Sequence, residues 1–133
     1  TYAAGLNWAV VGDAAVRAIV AFHFGWSPAR EASDVDGWAP PFWAELLNDP
    51  YAAVRAIAGQ SLRVSPLGEG VVYDFIAPVS ARQKAAVKFV DAWKNTGRVG
   101  NDPHFLQREG EIDSKALNAI RSRRNNRQVR IAE

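Results

Sequence analysis

The phrase Ala-Ala-Val-Arg-Ala-Ile stands at residues 14–19 and again at residues 52–57, 38 residues later. Repetition at a fixed spacing of roughly 20 to 50 residues is the mark of stacked structural units, and about 40 is the period of two-helix units. Such units bury their apolar faces only against one another, so they fold as an array. A chain of 133 residues is one ordinary domain, with room for two or three units and a single core.

The second copy has a defined helix start. Asp49 is placed to cap the first turn and Pro50 to occupy the first helical position, where its missing N–H costs nothing. The helix would run from about Pro50 to Leu62, with Val54, Ile57, Ala58 and Leu62 as its buried stripe and Arg55 just off it. Upstream, PPFWAELLND predicts a short helix from about Pro40 to Leu47, which makes a hairpin with the first. The first copy has the same outline: a leading helix from Tyr2 to Val10, a break at Gly12 and Asp13, and a helix from Ala14 to Phe24 closed by Gly25. If the period is real, Val16 and Val54 occupy equivalent interior positions.

Between the hairpins, Ser27 and Pro28 start one or two helical turns, and DVDGW reads as a loop. Residues 63–78 read as extended chain crossing the surface, because Val71, Val72 and Tyr73 are bracketed by Pro and Gly. A third long helix is expected from Ser80 to about Asn95, with Ser80 and Gln83 at the spacing of a capping box and Gly97 ending it. Residues 98–112 read as loop, Asp113 caps a last helix from Ser114 to about Arg123, and QVRIAE closes the chain in extended form.

The sequence has no cysteine, which removes disulfides, thiol nucleophiles, thiolate metal sites and CxxCH haem attachment. It also has no methionine and begins at Thr1, so a piece of a longer protein is the expected origin. The longest apolar runs are too short to cross a bilayer. Charge is split: residues 1–79 carry four Lys/Arg against eight Asp/Glu, and residues 80–133 carry twelve against six. The C-terminal half is therefore the basic one.

At this point the residues resemble a known family. PPFWAELLNDPYAAVRAIAGQSL is similar to a HEAT repeat, with Pro41, Asp49, Val54 and Arg55 at the offsets where that family carries its Pro, Asp and Val-Arg pair. The first unit departs from the pattern, having Val11 in place of the Asp and Ala3 in place of the Pro, with Asp13 as a substitute cap. The wider order of features resembles the C-terminal HEAT-like segment that follows multihaem cytochrome c domains in some bacterial proteins. That resemblance implies a noncatalytic partner of a haem-bearing region, exported to the periplasm, with no cofactor in this chain itself.

The expected fold is an all-α, right-handed stack of HEAT-like hairpins in one domain: repeat 1 at about 1–25, repeat 2 at about 40–62, and a degenerate third helix with a capping helix and tail at about 80–133. In such stacks an Asp at the turn and an Arg later in the helix hydrogen-bond between units, which assigns structural roles to Asp49, Arg55, Arg17 and Asp13. His23 and His104 lack any metal-ligand spacing, and nucleophile elbows, phosphate loops and dinucleotide fingerprints are absent, so catalysis by this chain alone is not expected. Two surfaces are candidates for interaction. Trp38, in its polar loop, is one; the basic end with Arg121, Arg123, Arg124 and Arg127 is the other. The basic end invites nucleic acid, but Asn125 and Asn126 interrupt it and no aromatic residues interleave, so docking onto the acidic half or an acidic protein is as economical.

Overall fold

A computed structural model describes residues 2–127. The chain is mostly helical, with eight α-helices among the described residues: α1 (Ala4–Val10), α2 (Ala14–Gly25), α3 (Ser27–Ser33), α4 (Val35–Trp38), α5 (Pro40–Leu47), α6 (Ala52–Val64), α7 (Val79–Lys94) and α8 (Ser114–Arg121). A two-residue hairpin, β1 (Gln107–Arg108) with β2 (Glu111–Ile112), is the only sheet among them. The expected closing segment from residue 128 onward lies outside the described residues.

The helices that contain the repeated phrase, α2 and α6, lie against each other along most of their length. Small residues allow it. The Ser61 hydroxyl of α6 donates to the Ala21 carbonyl of α2 at 2.6 Å, and a Cβ on Gly25 would stand 2.7 Å from the Ser61 Cα. α1 and α5 pack beside them, and Phe24, Phe42, Trp43, Leu46, Leu47, Leu6 and Val54 form a closed apolar centre. α7 completes that centre from the other side of α5, with Phe89 edge-on to Trp43 at 5.1 Å.

Several helix starts behave as expected, and several do not. Asp13 accepts from the Val16 amide and Asp113 from the Ala116 amide, so both cap as anticipated. Asp49 is not the cap of α6: the helix begins at Ala52, after Tyr51, and Pro50 lies outside it. Ser27 and Ser80 make no capping bond, since α3 already includes Ser27 and α7 starts at Val79 behind Pro78. DVDGW is not a loop; Val35 to Trp38 make a helical turn that seats the buried Val35. Residues 98–112 hold the β-hairpin, whose turn places Glu109 at φ 52° and Gly110 at φ 80°. Two left-handed residues in succession give a tight connection its twist.

Of residues 63–78, expected to be extended throughout, 63–64 end α6, Pro66–Gly68 make a 3-10 turn and 75–77 a further turn, leaving residues 71–74 as extended chain with no ladder partner; this segment does structural work. Tyr73 lies on Gly59 of α6, where a Cβ would stand 2.7 Å from its ring, and its hydroxyl donates to the Leu47 carbonyl at 2.7 Å. Arg55 donates from Nε to the Phe75 carbonyl at 2.9 Å. This strap covers the side of α6 that corresponds to the side of α2 lying on α6: Arg55, Gly59 and Arg63 stand 38 residues after Arg17, Ala21 and Gly25.

Burial pushes the Tyr73 hydroxyl up to about 12, with Arg55 and Arg82 pulling partly the other way. A tyrosine raised in the folded state keeps its full contribution below the unfolded value near 10 and loses it as pH climbs toward the folded one. Stability measured by denaturant titration should therefore fall more steeply between pH 10 and 12 in the native sequence than in Tyr73→Phe. Equal slopes in the two proteins would show that the hydroxyl is not held in this way.

Candidate functional site

Arg17 and Asp49 form the one fully buried ion pair among the described residues, 0% and 1% exposed. Their 32-residue separation joins the middle of the first hairpin to the turn of the second. Arg17 Nε donates to Asp49 Oδ2 at 2.7 Å and Nη2 to Oδ1 at 3.2 Å, a two-pronged contact. Nη1 donates to the carbonyls of Gly12 at 2.6 Å and Asn125 at 2.7 Å, and Nη2 reaches the Asn126 side chain at 3.5 Å. A guanidinium has five N–H groups, and each has an acceptor here. Asp49 also accepts from the Tyr51 amide at 3.0 Å, and Tyr51 donates its hydroxyl to the Asn126 carbonyl at 2.6 Å.

This geometry explains why Asp49 does not cap its helix. Its carboxylate is turned into the molecule, where it neutralises Arg17. Arg55 bonds the Asp49 carbonyl at 2.7 Å and the Pro50 carbonyl at 3.1 Å, not the carboxylate. The two arginines still share one feature, since each bonds a carbonyl five residues back, Gly12 for Arg17 and Pro50 for Arg55. Asp13 serves its own helix alone. The ion pair at its centre is closed to solvent and ties the two hairpins together.

Of the expected capping tail, residues 125–126 lie over the turns of both hairpins, where Asn125 donates its amide to the Val11 carbonyl at 3.0 Å. The basic end is partly consumed by the acidic half: Arg121 forms a two-pronged pair with Glu45, and that bond raises the Arg121 guanidinium further above its usual value. Arg124 is bonded to Asn126, while Arg123 and Arg127 are exposed. Trp38 is not a free loop side chain. It is half-buried, stacks on Phe105 at 4.8 Å, contacts Phe24 and Phe42, and donates from Nε1 to the Ser33 carbonyl.

The surface that the sequence did not disclose is the outer side of α2. Ile19, Phe22 and Trp26 are 57%, 55% and 48% exposed, and Trp8 of α1 is 57% exposed. Phe22 and Trp26 stack at 6.5 Å, with His23 edge-on to both at 5.6 Å. Beside this stripe runs an apolar groove of about 440 Å³, bordered by Trp8, Ile19, His23, Trp38 and Phe105. The four exposed side chains leave roughly 400 Å² of apolar surface open, in the size range where a patch on a monomer commonly serves binding. A spacing signal existed: residues 15, 19, 22 and 26 recur at helical intervals and are all apolar, opposite the stripe that faces α6.

The same side accounts for the two valines. Val54 is 1% exposed whereas Val16 is half-buried, so their surroundings differ. Val54 shares its helix face with Ser61, which α2 covers; Val16 shares its face with His23, which is covered only in part, with Trp8 of α1 and Ala29 and Ser33 of α3 bordering the same groove.

Among the described residues no group of His, Cys, Asp and Glu is arranged to hold a metal ion, and no helix is long and apolar enough to cross a membrane. Comparison with protein-family models, with curated proteins and with solved structures gave no match.

Removing the carboxylate charge from the buried pair isolates its role. Asp49→Asn should destabilise the domain by about 3–5 kcal/mol in urea unfolding, because Arg17 remains buried without its counter-charge. The double replacement Arg17→Met with Asp49→Leu should recover part of that loss. A change under about 1 kcal/mol for Asp49→Asn would contradict the assignment.

Proposed function

We propose that the two hairpins are successive units of a right-handed HEAT-like stack, and that the domain is a noncatalytic protein-interaction or scaffolding module whose partner covers the outer side of α2. One observation carries this reading: the two ends of the α2–α6 pair are treated differently. Beyond α6 the strap of Tyr73 and Phe75 covers the helix, whereas beyond α2 the side chains of Ile19, Phe22 and Trp26 meet solvent with Trp8. Exposed aromatic side chains clustered at one place are the composition of an interface centre.

The partner proposed is the haem-bearing part of an exported multihaem cytochrome c protein, with haem held there and not in this chain. Only the sequence resemblance supports that identity. Nucleic acid is the weaker alternative, because Arg121 is engaged by Glu45 and Arg124 by Asn126, which leaves Arg123 and Arg127 as the outward charges of the described basic end.

Photo-crosslinking in the native cells tests the reading. A benzophenone side chain at position 22 should give a discrete protein adduct, lost on Ile19→Asp, while the same group at exposed Gln60, the corresponding position of α6, should give none. Adducts to nucleic acid from position 123, with none to protein from position 22, would reverse the choice.

A further inference from the structure

We propose that the outer side of α2 receives an amphipathic helix of the partner protein, lying beside α2 in the register in which α6 receives α2. This rests on the interaction reading above and adds the partner's secondary structure and chemistry. α2 and α6 share a phrase and differ in what lies against them. α6 receives its neighbour along the line of Val54, Ala58 and Ser61, with the Ser61 hydroxyl on the Ala21 carbonyl and the bare Gly25 allowing close approach. A shift of 38 residues carries that line onto Val16, Val20 and His23 of α2. His23 and Val20, with Ile19, border the apolar groove. On α6 the line is closed, whereas on α2 Val20 is buried but Val16 and His23 stay half-exposed, so the receiving surface is filled on one helix and partly open on the other.

A second copy of this chain does not fit head to tail. The face it would have to present is the one formed by Arg17, Ala21 and Gly25, which is already against α6, and the matching face of α6 lies under the strap.

Two departures from the internal pattern define the incoming helix. At the place corresponding to Asp49 stands Val11, so the incoming helix meets no carboxylate and carries an apolar residue where α2 carries Arg17. At the place corresponding to Ser61 stands His23, whose Nδ1 lies 2.7 Å from the Ile19 carbonyl. A carbonyl only accepts, so Nδ1 bears the proton and Nε2 of the neutral ring is an acceptor. The incoming helix thus offers His23 a hydroxyl or amide donor, where α2 offers Ser61 a carbonyl. Small residues at four-residue spacing line its contact edge, as Ala21 and Gly25 do in α2.

The probe is a synthetic peptide spelling residues 13–26 with Arg17→Leu, and a second peptide carrying Ala21→Ser as well, each titrated into the full chain. Methyl and indole NMR signals of Val16, Ile19, Val20 and Trp8 should shift saturably, and no such shifts should follow a scrambled peptide. The serine peptide should bind roughly threefold to tenfold tighter, and His23→Phe in the domain should abolish that difference while retaining binding. Ile19→Asp should remove binding of both. Absence of saturable shifts at these residues, shifts that the scrambled peptide reproduces, or the same shifts on concentrating the chain alone would overturn the proposal. A surviving cross-link at position 22 would then leave the interaction reading standing without the helix.

Discussion

The Arg17–Asp49 pair is the constraint around which the rest is arranged. Burying two opposite charges costs several kcal/mol per ion before any attraction is counted, so such a pair persists where its geometry and hydrogen bonds are complete. Here they are complete: Arg17 spends every N–H, and the acceptors come from three separate stretches of chain at residues 12, 49 and 125–126. An arginine satisfied in this way fixes the relative position of two helix starts and a returning tail at once. Sliding α2 along α6 by one turn would leave a charge without its partner, and that penalty specifies the register more sharply than apolar packing between small residues could.

From that fixed register the asymmetry of the molecule follows. α2 and α6 each have one side toward the apolar centre and two sides toward possible neighbours. For α6 both neighbours are supplied, α2 on one side and the strap of residues 73–75 on the other. For α2 one is supplied in full, and the other side is bordered only in part, by Trp8 of α1 and Ala29 and Ser33 of α3. The arginine of the repeated phrase registers the difference: Arg17 is enclosed because an Asp and a tail converge on it, whereas Arg55 finds only backbone carbonyls and remains half-buried. Identical letters take different environments because the segments that follow them differ.

Much of the helical order was legible because it is written in local chemistry. Caps such as Asp13 and Asp113, the paired prolines before Phe42 and the left-handed Gly97 after α7 act within a few residues of themselves, so spacing reveals them. Asp49 was legible as a residue that bonds an arginine between the hairpins, but not as one that gives up its cap to do so, since a capping Asp and an ion-paired Asp look alike until the partner 32 residues away is brought in. The turn at Val35 and the hairpin at Gln107 were missed for a related reason. Each is too short to show a period, and each is held by distant groups, as in the bonds from Trp93 to the Asp36 carbonyl and from Gln107 to the Gly37 carbonyl.

Trp38 and the stripe at Ile19, Phe22 and Trp26 show where reading of aromatic residues from sequence divides. A tryptophan amid polar residues suggested exposure, yet its ring is half-buried against Phe24, Phe42 and Phe105, because a large ring fills the gap where short helices of unequal length meet. The apolar stripe on α2, in contrast, faces solvent. Sequence periodicity reports that a helix has an apolar side, and only the arrangement of neighbours reports whether that side is covered. α2 has apolar residues on nearly all its sides, the pattern of a helix buried all round. That pattern, with one side left open, is what the proposed interaction at the outer side of α2 answers.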